Sequence, residues 1–539
     1  MPWGVWAVTL FYWISSLILL FLCNYFFMLL FRKPWIDVER IPFPAVTPTY
    51  ELLREAKAED GKTSMNFFNP IKNKIFWIPF LLGVIFMFPE VAANYIGIQY
   101  LPGIVQDIGF IPIDFSPYLE AVLPGVPWGF AWVWVEACGG AAPLWFFAPF
   151  DVQISTLIAY GVFWYIIPLI FISAGLCAPW TDYFSGEGSG IPYGMFTSAW
   201  GSGYMWGYTG FNFGLILWLF YNNRKHIVHT LRSAIAGSTR EPEEPHSWRF
   251  VWTGFIVSML AWYALVLSSG IEPIIILSLF LWLLNYVSIN RVYAETGRPY
   301  GFLGMEFSSV MPMTHDAYRL FGYNVTGPNP TLNFDALYFG VARYNSMHVG
   351  GHGVTALNVF KIADMTKTDP RSVGWAYIIA IIVGISFHIP LAIWMGYAFG
   401  WSEMFRRVGE FGGLTEWAAS SINNIGPTTE ELTGVPNYHL WLLVSTIVVF
   451  VLFWMKSRFA WFFFNPIALG VLMGCGMWTI PGLVVFTVLK WAILRIGGAR
   501  AYEKYGLPAV LGLWMGVSTI SVICRIVWGI IGAAEWMYA

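Results

Sequence analysis

Glu136 stands in W-V-W-V-E-A-C-G-G-A-A-P, a carboxylate followed by Gly139-Gly140 and Pro143 in an otherwise apolar stretch. A helix interrupted by Gly-Gly and Pro frees backbone carbonyls and amides, and intramembrane substrate and ion sites are built from such breaks. A charge at bilayer depth costs about 2.5–3.5 kcal/mol on insertion scales, so it requires a partner or a cavity. Glu136 therefore reads either as a midplane ligand or as a hydrated carboxylate at a turn. Asp151 falls at a hairpin turn, where it serves as a helix cap or as a ligand. Arg525, in I-S-V-I-C-R-I-V-W, sits in the middle of an apolar run. Its roles are a structural ion pair, with Glu136 as a fitting partner, or a substrate anchor. Together with Asn465 of N-P-I-A-L-G, the candidate substrate- or ion-binding residues are Glu136, Gly139, Gly140, Asp151 and Arg525. His388 in S-F-H-I-P is a kink histidine or a proton relay.

Two further patterns carry weaker chemistry. M-H-V-G-G-H-G places His348 and His352 at the helical spacing of two metal ligands. The intervening Gly350-Gly351 weakens a helix there and no third ligand is identified, so a Gly-rich inner loop is the competing reading. R-V-Y-A-E-T-G-R offers Arg291, Glu295 and Arg298 on one helical face, an inner-face motif held by ion pairs. The chain carries no P-loop, G-x-S-x-G or GxGxxG context, so ATP-driven pumping by this chain alone is not expected; the reading is of a non-enzyme without a cofactor. The five cysteines are scattered without a C-x-x-C pair, which argues against a disulfide scaffold or a thiolate metal site.

The elements that must position these residues are membrane helices. Of 539 residues, 57% are hydrophobic and 11% charged, with a mean hydropathy of +0.60. A soluble domain has about twice that charge density. Stretches of twenty or more uncharged residues recur along the chain, the length that roughly 30 Å of hydrocarbon demands. Of 29 Lys and Arg, 26 fall in five clusters: Arg32 to Lys74, Arg224 to Arg249, Arg291 to Arg371, Lys456 with Arg458, and Lys490 to Lys504. Ile75 to Asn223 holds no base and eight acids. Basic loops stay cytoplasmic, which places loops 32–74, 224–249 and 290–373 inside and the N-terminus outside, in a plasma membrane.

Threading the apolar runs through these anchors predicts an all-α polytopic integral membrane protein of about twelve segments, some broken or re-entrant. The first runs from Trp3 to Phe31 and the second from Ile75 to Ile96. Pro127 to Phe150 with Val152 to Leu176, and Phe250 to Ser269 with Ile271 to Ile289, are predicted hairpins. Gly374 to Phe399, His439 to Met455, Phe462 to Leu494 (broken at Pro481-Gly482) and Leu507 to Gly532 follow. The expected division is a bundle at 1–289, a cytoplasmic and re-entrant segment at 290–373, and a second bundle at 374–539.

The segment R-K-P-W-I-D-V-E-R-I-P-F-P-A-V-T-P-T-Y-E-L-L, Arg32 to Leu53, resembles the P-F-P…E-L-L signature of the oligopeptide transporter (OPT) family. It also resembles an uncharacterised family of prokaryotic multipass proteins with the same block. Shared blocks include P-W-G-V-W (Pro2 to Trp6), K-N-K-I-F-W-I-P-F (Lys72 to Phe80), I-D-F-S-P (Ile113 to Pro117) and N-R-V-Y-A-E-T-G-R-P-Y (Asn290 to Tyr300). N-P-I-A-L-G (from Asn465) and R-I-G-G-A-R-A-Y (from Arg495) complete the set. The resemblance implies an OPT-like fold and a secondary transporter, proton-coupled if Glu136 is buried, for peptide-like or chelate substrates. The alternatives are a non-transporting membrane subunit that scaffolds a larger complex, and a membrane metalloprotein using His348 and His352. In those relatives the P-W-x-x-W block follows several earlier helices, whereas here it opens the chain. One expectation is a second membrane subunit supplying the missing helices, or a second copy of this chain, packed on Ser15, Ser16 and Asn24 of the first helix and on Gly161 and Ser173 to Gly175; the other is a shorter natural variant or a different start codon.

Overall fold

A computed structural model describes residues 3–56, 73–91, 111–114, 121, 132–135, 142–162, 166, 202–238, 240–270, 272–297, 319–322, 356–399, 438–475 and 480–538. These are helical apart from turns and one short antiparallel ribbon, β1 (Ile111–Asp114) with β2 (Trp132–Val135), in which Ile111 pairs with Val135. The described chain forms two compact units, each assembled from non-contiguous stretches.

The first unit comprises 1–41, 208–294 and 302–451. Its α1 (Trp3–Lys33) has 31 residues, about 46 Å at 1.5 Å per residue, more than a hydrocarbon core requires. The helix ends on Arg32-Lys33, and Pro34 opens a π-type turn to Val38. Arg40 (φ 53°) then adopts the left-handed conformation and the chain turns away. Further along, α5 (Ser202–Ala236) is followed by α6 (Trp248–Leu267), capped by the Ser247 hydroxyl on the Phe250 amide. Next come α7 (Ile275–Thr296), a helix at 356–366 (α8), α9 (Pro370–Phe399) and α10 (Tyr438–Arg458). The core is aromatic. Phe27 stacks on Phe255 at 5.2 Å between ring centroids, Tyr25 on Tyr377 at 5.4 Å, and a Cβ on Gly254 would strike the Phe26 ring. The Trp262 indole donates to Ser16 at 3.1 Å and Ser288 to Asn212 at 2.7 Å, giving buried polar atoms interhelical partners.

The second unit comprises 42–207, 295–301 and 452–539. It contains α2 (Thr47–Ala56), α3 (Lys74–Val91), α4 (Phe150–Gly161), α11 (Ile467–Cys475), α12 (Ile480–Ala501) and α13 (Leu507–Tyr538), with Tyr502–Gly506 as a π-type turn. Helices α3 and α13 touch backbone to backbone: a Cβ on Gly512 or Gly516 would sit on the carbonyl of Phe76 or Phe80. Phe76 and Leu511 fill that contact, with Leu52, Trp77 and Trp514 around them.

Among the described residues, five helical stretches are long and apolar enough to cross a membrane: Trp3–Val38, Trp248–Leu267, Ile275–Thr296, Pro370–Leu391 and Gly482–Ile520. This fits an all-α membrane protein; the count is five rather than the expected twelve. Two sequence expectations are corrected. Within the predicted span Pro127 to Phe150, the described residues are not one continuous helix: they include strand β2 and a short 3₁₀ turn, Ala142–Phe146. Pro143 and Pro149 interrupt any helix there. Ser16 and Asn24 do not face outward, being 3% and 1% exposed within the first unit. Ser15 and Gly161 are half-buried, while Ser173 to Gly175 lie outside the described residues.

Candidate functional site

The polar centre of the second unit forms where helices are interrupted. The 3₁₀ turn at Ala142–Phe146 ends in Phe147-Ala148-Pro149, and α4 restarts at Phe150. The carbonyls freed by the break are taken by side chains. Ala148 O accepts from the Gln153 amide at 3.1 Å and from Lys490 Nζ at 2.6 Å. The Gln153 amide also donates to Trp145 O, and Tyr502 OH to Phe146 O at 3.4 Å. Gln153 is fully buried and Lys490 is 8% exposed. Irregular backbone in an apolar medium persists only where protein groups satisfy it, and Gln153, Lys490 and Tyr502 do so here.

One turn of α4 away, Asn465 joins two carboxylates. Its side-chain amide donates to Asp151 at 3.1 Å and to Glu295 at 3.4 Å. Its backbone N–H donates to Ser155 at 2.8 Å, and its side-chain oxygen accepts from Ile467 N at 3.1 Å, capping α11. Asp151 is completed by Lys456 at 3.2 Å. Asp151 and Glu295 thus share a single amide, with Lys456 beside Asp151. Just after Glu295, Gly297 (φ +73°) packs on Pro44 and Ala45, so the P-F-P and A-E-T-G motifs meet there.

Three sequence-predicted residues, Asp151, Asn465 and Glu295, are thus brought together. Asp151 is not a cap: Pro149 is the N-cap of α4, and the Asp151 side chain points to Lys456 and Asn465. Arg291 does not share Glu295's site. It pairs with Glu39 at 2.5 Å over the Trp35 ring, in the first unit. His388 is exposed on α9, two residues before Pro390 within that helix. Arg525 falls on α13, with its side chain outside the described residues, as are Glu136, Gly139, Gly140, Arg298, His348 and His352. Among the described residues no three His, Cys, Asp or Glu are grouped to hold a metal ion.

Sequence reasoning missed Gln153, Lys456 and Lys490 as site residues. Lys490 did carry a signal, as a base inside T-V-L-K-W-A-I-L, but it was grouped with the basic cluster that follows it. Gln153 in D-V-Q-I-S-T carried none, because a single amide in an apolar helix does not disclose which carbonyls it must satisfy.

Charges in the first unit pair with each other instead. Arg32 holds Glu244 at 2.9 Å and Asp37 at 3.2 Å, and Lys33 holds Glu241 at 2.8 Å. The Lys33 ammonium, with Trp248 and His229, draws the Glu241 carboxyl down to about 2. Burial pushes Glu244 up against the pull of Arg32. Burial, aided by Arg240 and Arg371, lowers His246 to about 4, and its ring bonds Tyr25 OH at 3.0 Å. A 770 Å³ cavity in this unit sets four bases (Arg32, Arg40, Lys361, Lys367) against four acids (Asp37, Glu243, Asp364, Asp369). These charges cancel and select no ligand sign.

The fold and this interrupted polar centre define an all-α protein with membrane-length helices. The chain belongs to a family of unknown function (DUF6785), whose model matches residues 1–538. No curated protein matches it.

Proposed function

We propose that this protein is a secondary membrane transporter of oligopeptide-transporter type, with the polar centre of the second unit lining its substrate or coupling-ion path. The observation that carries the reading is the interrupted segment at 147–149, with Asp151 and Glu295 sharing the Asn465 amide beside it. Freed carbonyls and paired carboxylates at a helix break are what transporters use to bind cations and amines. Two carboxylates sharing one amide suit proton coupling and substrates with a cationic group, such as peptide-like molecules or metal chelates. The proposal extends to about twelve spans in the plasma membrane, with the N-terminus outside and loops 32–74, 224–249 and 290–373 inside. It includes a second membrane subunit, or a second copy of this chain, as partner.

Uptake by proteoliposomes under an imposed pH gradient tests the reading, with labelled di- and tripeptides and iron chelates as probes. Gradient-driven uptake that falls at least tenfold in the Asp151→Asn/Glu295→Gln double variant is the expected outcome. Absence of uptake of every probe by folded protein would sink it. A second reading, a non-transporting scaffold subunit, is favoured by the span Pro370–Leu391, most of whose residues are not buried within this chain. Stable co-purification of another membrane chain without uptake would select that reading.

A further inference from the structure

The 770 Å³ cavity of the first unit keeps charges that its own pairs do not use. Arg32 is held by Glu244 and Asp37, and Lys361 faces Asp364 at 3.8 Å. Asp369 caps α9, accepting from the Arg371 amide at 3.2 Å and the Ser372 amide at 3.4 Å. Arg40 and Glu243 line the same cavity, both exposed, and neither makes an ion pair among the described residues. Lys367 reaches Asp364 at 3.5 Å with 83% of its side chain exposed, a pair that water screens. Two cations and one anion are thus left over.

The two cations stand where helices ordinarily place glycine. Lys367 (φ 58°) is the left-handed residue that ends α8: the Thr368 amide returns to Ala363 O at 2.9 Å, and the Lys367 amide to Asp364 O at 3.3 Å. Arg40 (φ 53°) closes the π-type turn after α1, with the Ile41 amide on Trp35 O at 2.9 Å. Among the described residues, Phe43 is the one other non-glycine with positive φ. A side chain in this conformation costs stability, and such strain gathers where a side chain is needed for a ligand. The helix dipole does not account for Arg40, because Arg32 and Lys33 already occupy the last turn of α1.

The cavity lies where two membrane-length stretches end. Trp3–Val38 contributes Arg32, Ile36 and Asp37 to its wall, and Pro370, also in the wall, opens Pro370–Leu391. That is the depth of lipid headgroups. Phe360, 2% exposed, adds an apolar surface. Asp37 lies within electrostatic reach of Glu243 and Asp364, yet among the described residues no three acids converge as metal ligands do. This suits a diffuse ammonium better than a metal ion. Charges that cancel in sum, with both signs left unpaired, select a ligand that carries both. We infer that the cavity binds a zwitterion joining a phosphate to an ammonium, as in the ethanolamine headgroup of a phospholipid. Arg40 and Lys367 take the phosphate and Glu243 the ammonium. The same chemistry comes from a bilayer lipid or from a soluble phosphoamine. The inference needs no transport activity, so its failure and the failure of the transport reading are separable.

The test is thermal unfolding of the full-length purified protein with glycerophosphoethanolamine, glycerol phosphate or ethanolamine at equal ionic strength. Wild type should gain roughly 2–4 °C from the zwitterion, at concentrations well above its dissociation constant, and clearly less from either fragment. Arg40→Gly with Lys367→Gly should lose that gain. Without ligand it should melt no lower than wild type, because glycine relieves both left-handed positions. Arg40→Asn with Lys367→Asn, also tolerant of that conformation, should behave alike and covers the case in which the glycine variant does not assemble. Glu243→Gln should lower the gain to that of glycerol phosphate. Lipid extracted with the protein separates the two sources. Phosphatidylethanolamine enriched over phosphatidylglycerol in wild type, but not in the double variants, assigns the site to the bilayer, with or without a thermal gain. A thermal gain without that enrichment assigns it to a soluble molecule. Equal response to all three probes without lipid enrichment would overturn the site. So would a gain that survives in the double variants, or double variants that melt well below wild type without ligand.

Discussion

The two units handle charge in opposite ways. In the first, α1 runs unbroken and its basic end meets acids, Arg32 with Glu244 and Asp37 and Lys33 with Glu241, while Arg291 of α7 meets Glu39. In the second, the chain breaks at 147–149, and although Asp151 pairs with Lys456, the side chains at the break are spent on backbone: Lys490 and Gln153 on Ala148, Tyr502 on Phe146. Paired charges fix a fold and leave little to bind with. Groups satisfied by loose backbone can exchange that partner for a ligand. On the proposed transport reading, structure falls to the first unit's charges and chemistry to the second's.

The sharpest way to break this comparison is through Glu244. Glu244→Leu leaves Arg32 buried with only the partly exposed Asp37, a loss of about 3 kcal/mol, because a desolvated charge loses its main partner. Melting followed by size-exclusion chromatography should show a much-reduced folded fraction. Adding Arg32→Met should return most of it, since an apolar pair of similar volume replaces a buried ion pair at little cost. If Glu244→Leu melts like wild type, the first unit's ion pairs are not structural.

Next in size is Gly516→Leu. A side chain there must displace the Phe80 backbone of α3, and overpacking of that kind costs about 2 kcal/mol. Unchanged melting would mean that α3 and α13 do not pack closely.

The effect of pH comes third. His246 titrates at about 4 in the folded protein against an ordinary 6.5, so between those values the unfolded chain binds more protons. Stability is therefore full above pH 6.5 and declines as pH falls toward 4, by about 1–2 kcal/mol between pH 6.5 and 5. Subtracting the melting curves of His246→Gln from those of wild type isolates this slope. A difference that is flat with pH would refute the assignment.

How far the sequence disclosed this arrangement depended on whether the signal was local. Helix α1 was legible from its uninterrupted apolar run and its Arg32-Lys33 stop, and the α6–α7 hairpin from Gly270, which takes φ +85°. The stretch at Trp132 was not, because an apolar aromatic run of four residues fits a strand as well as a helix. At the site, Asp151 stood out at a predicted hairpin turn, Glu295 within the charged motif R-V-Y-A-E-T-G-R, and Asn465 at the head of N-P-I-A-L-G. Their meeting joins positions up to 314 apart in sequence, and no periodicity reports such a contact. Ser16 and Asn24 misled for a related reason: small and polar positions on a helix mark an interface, but not whose.

The smallest expected change in stability is also the most informative. The side chains of Asp151 and Lys456 are 42% and 33% exposed, so water screens their attraction and the pair contributes under about 1 kcal/mol. Asp151→Asn keeps an oxygen for the Asn465 amide and should leave the melting midpoint within about 2 °C of wild type. Yet it removes one of the two carboxylates on which the proposed transport reading rests, so gradient-driven uptake should fall at least tenfold while the fold persists. Glu241→Gln in the first unit is the matched control. It removes a carboxylate of similar exposure that is tied to Lys33, and it should cost stability without selectively abolishing uptake. If Asp151→Asn and Glu241→Gln behave alike in both assays, the division between a structural and a chemical unit fails.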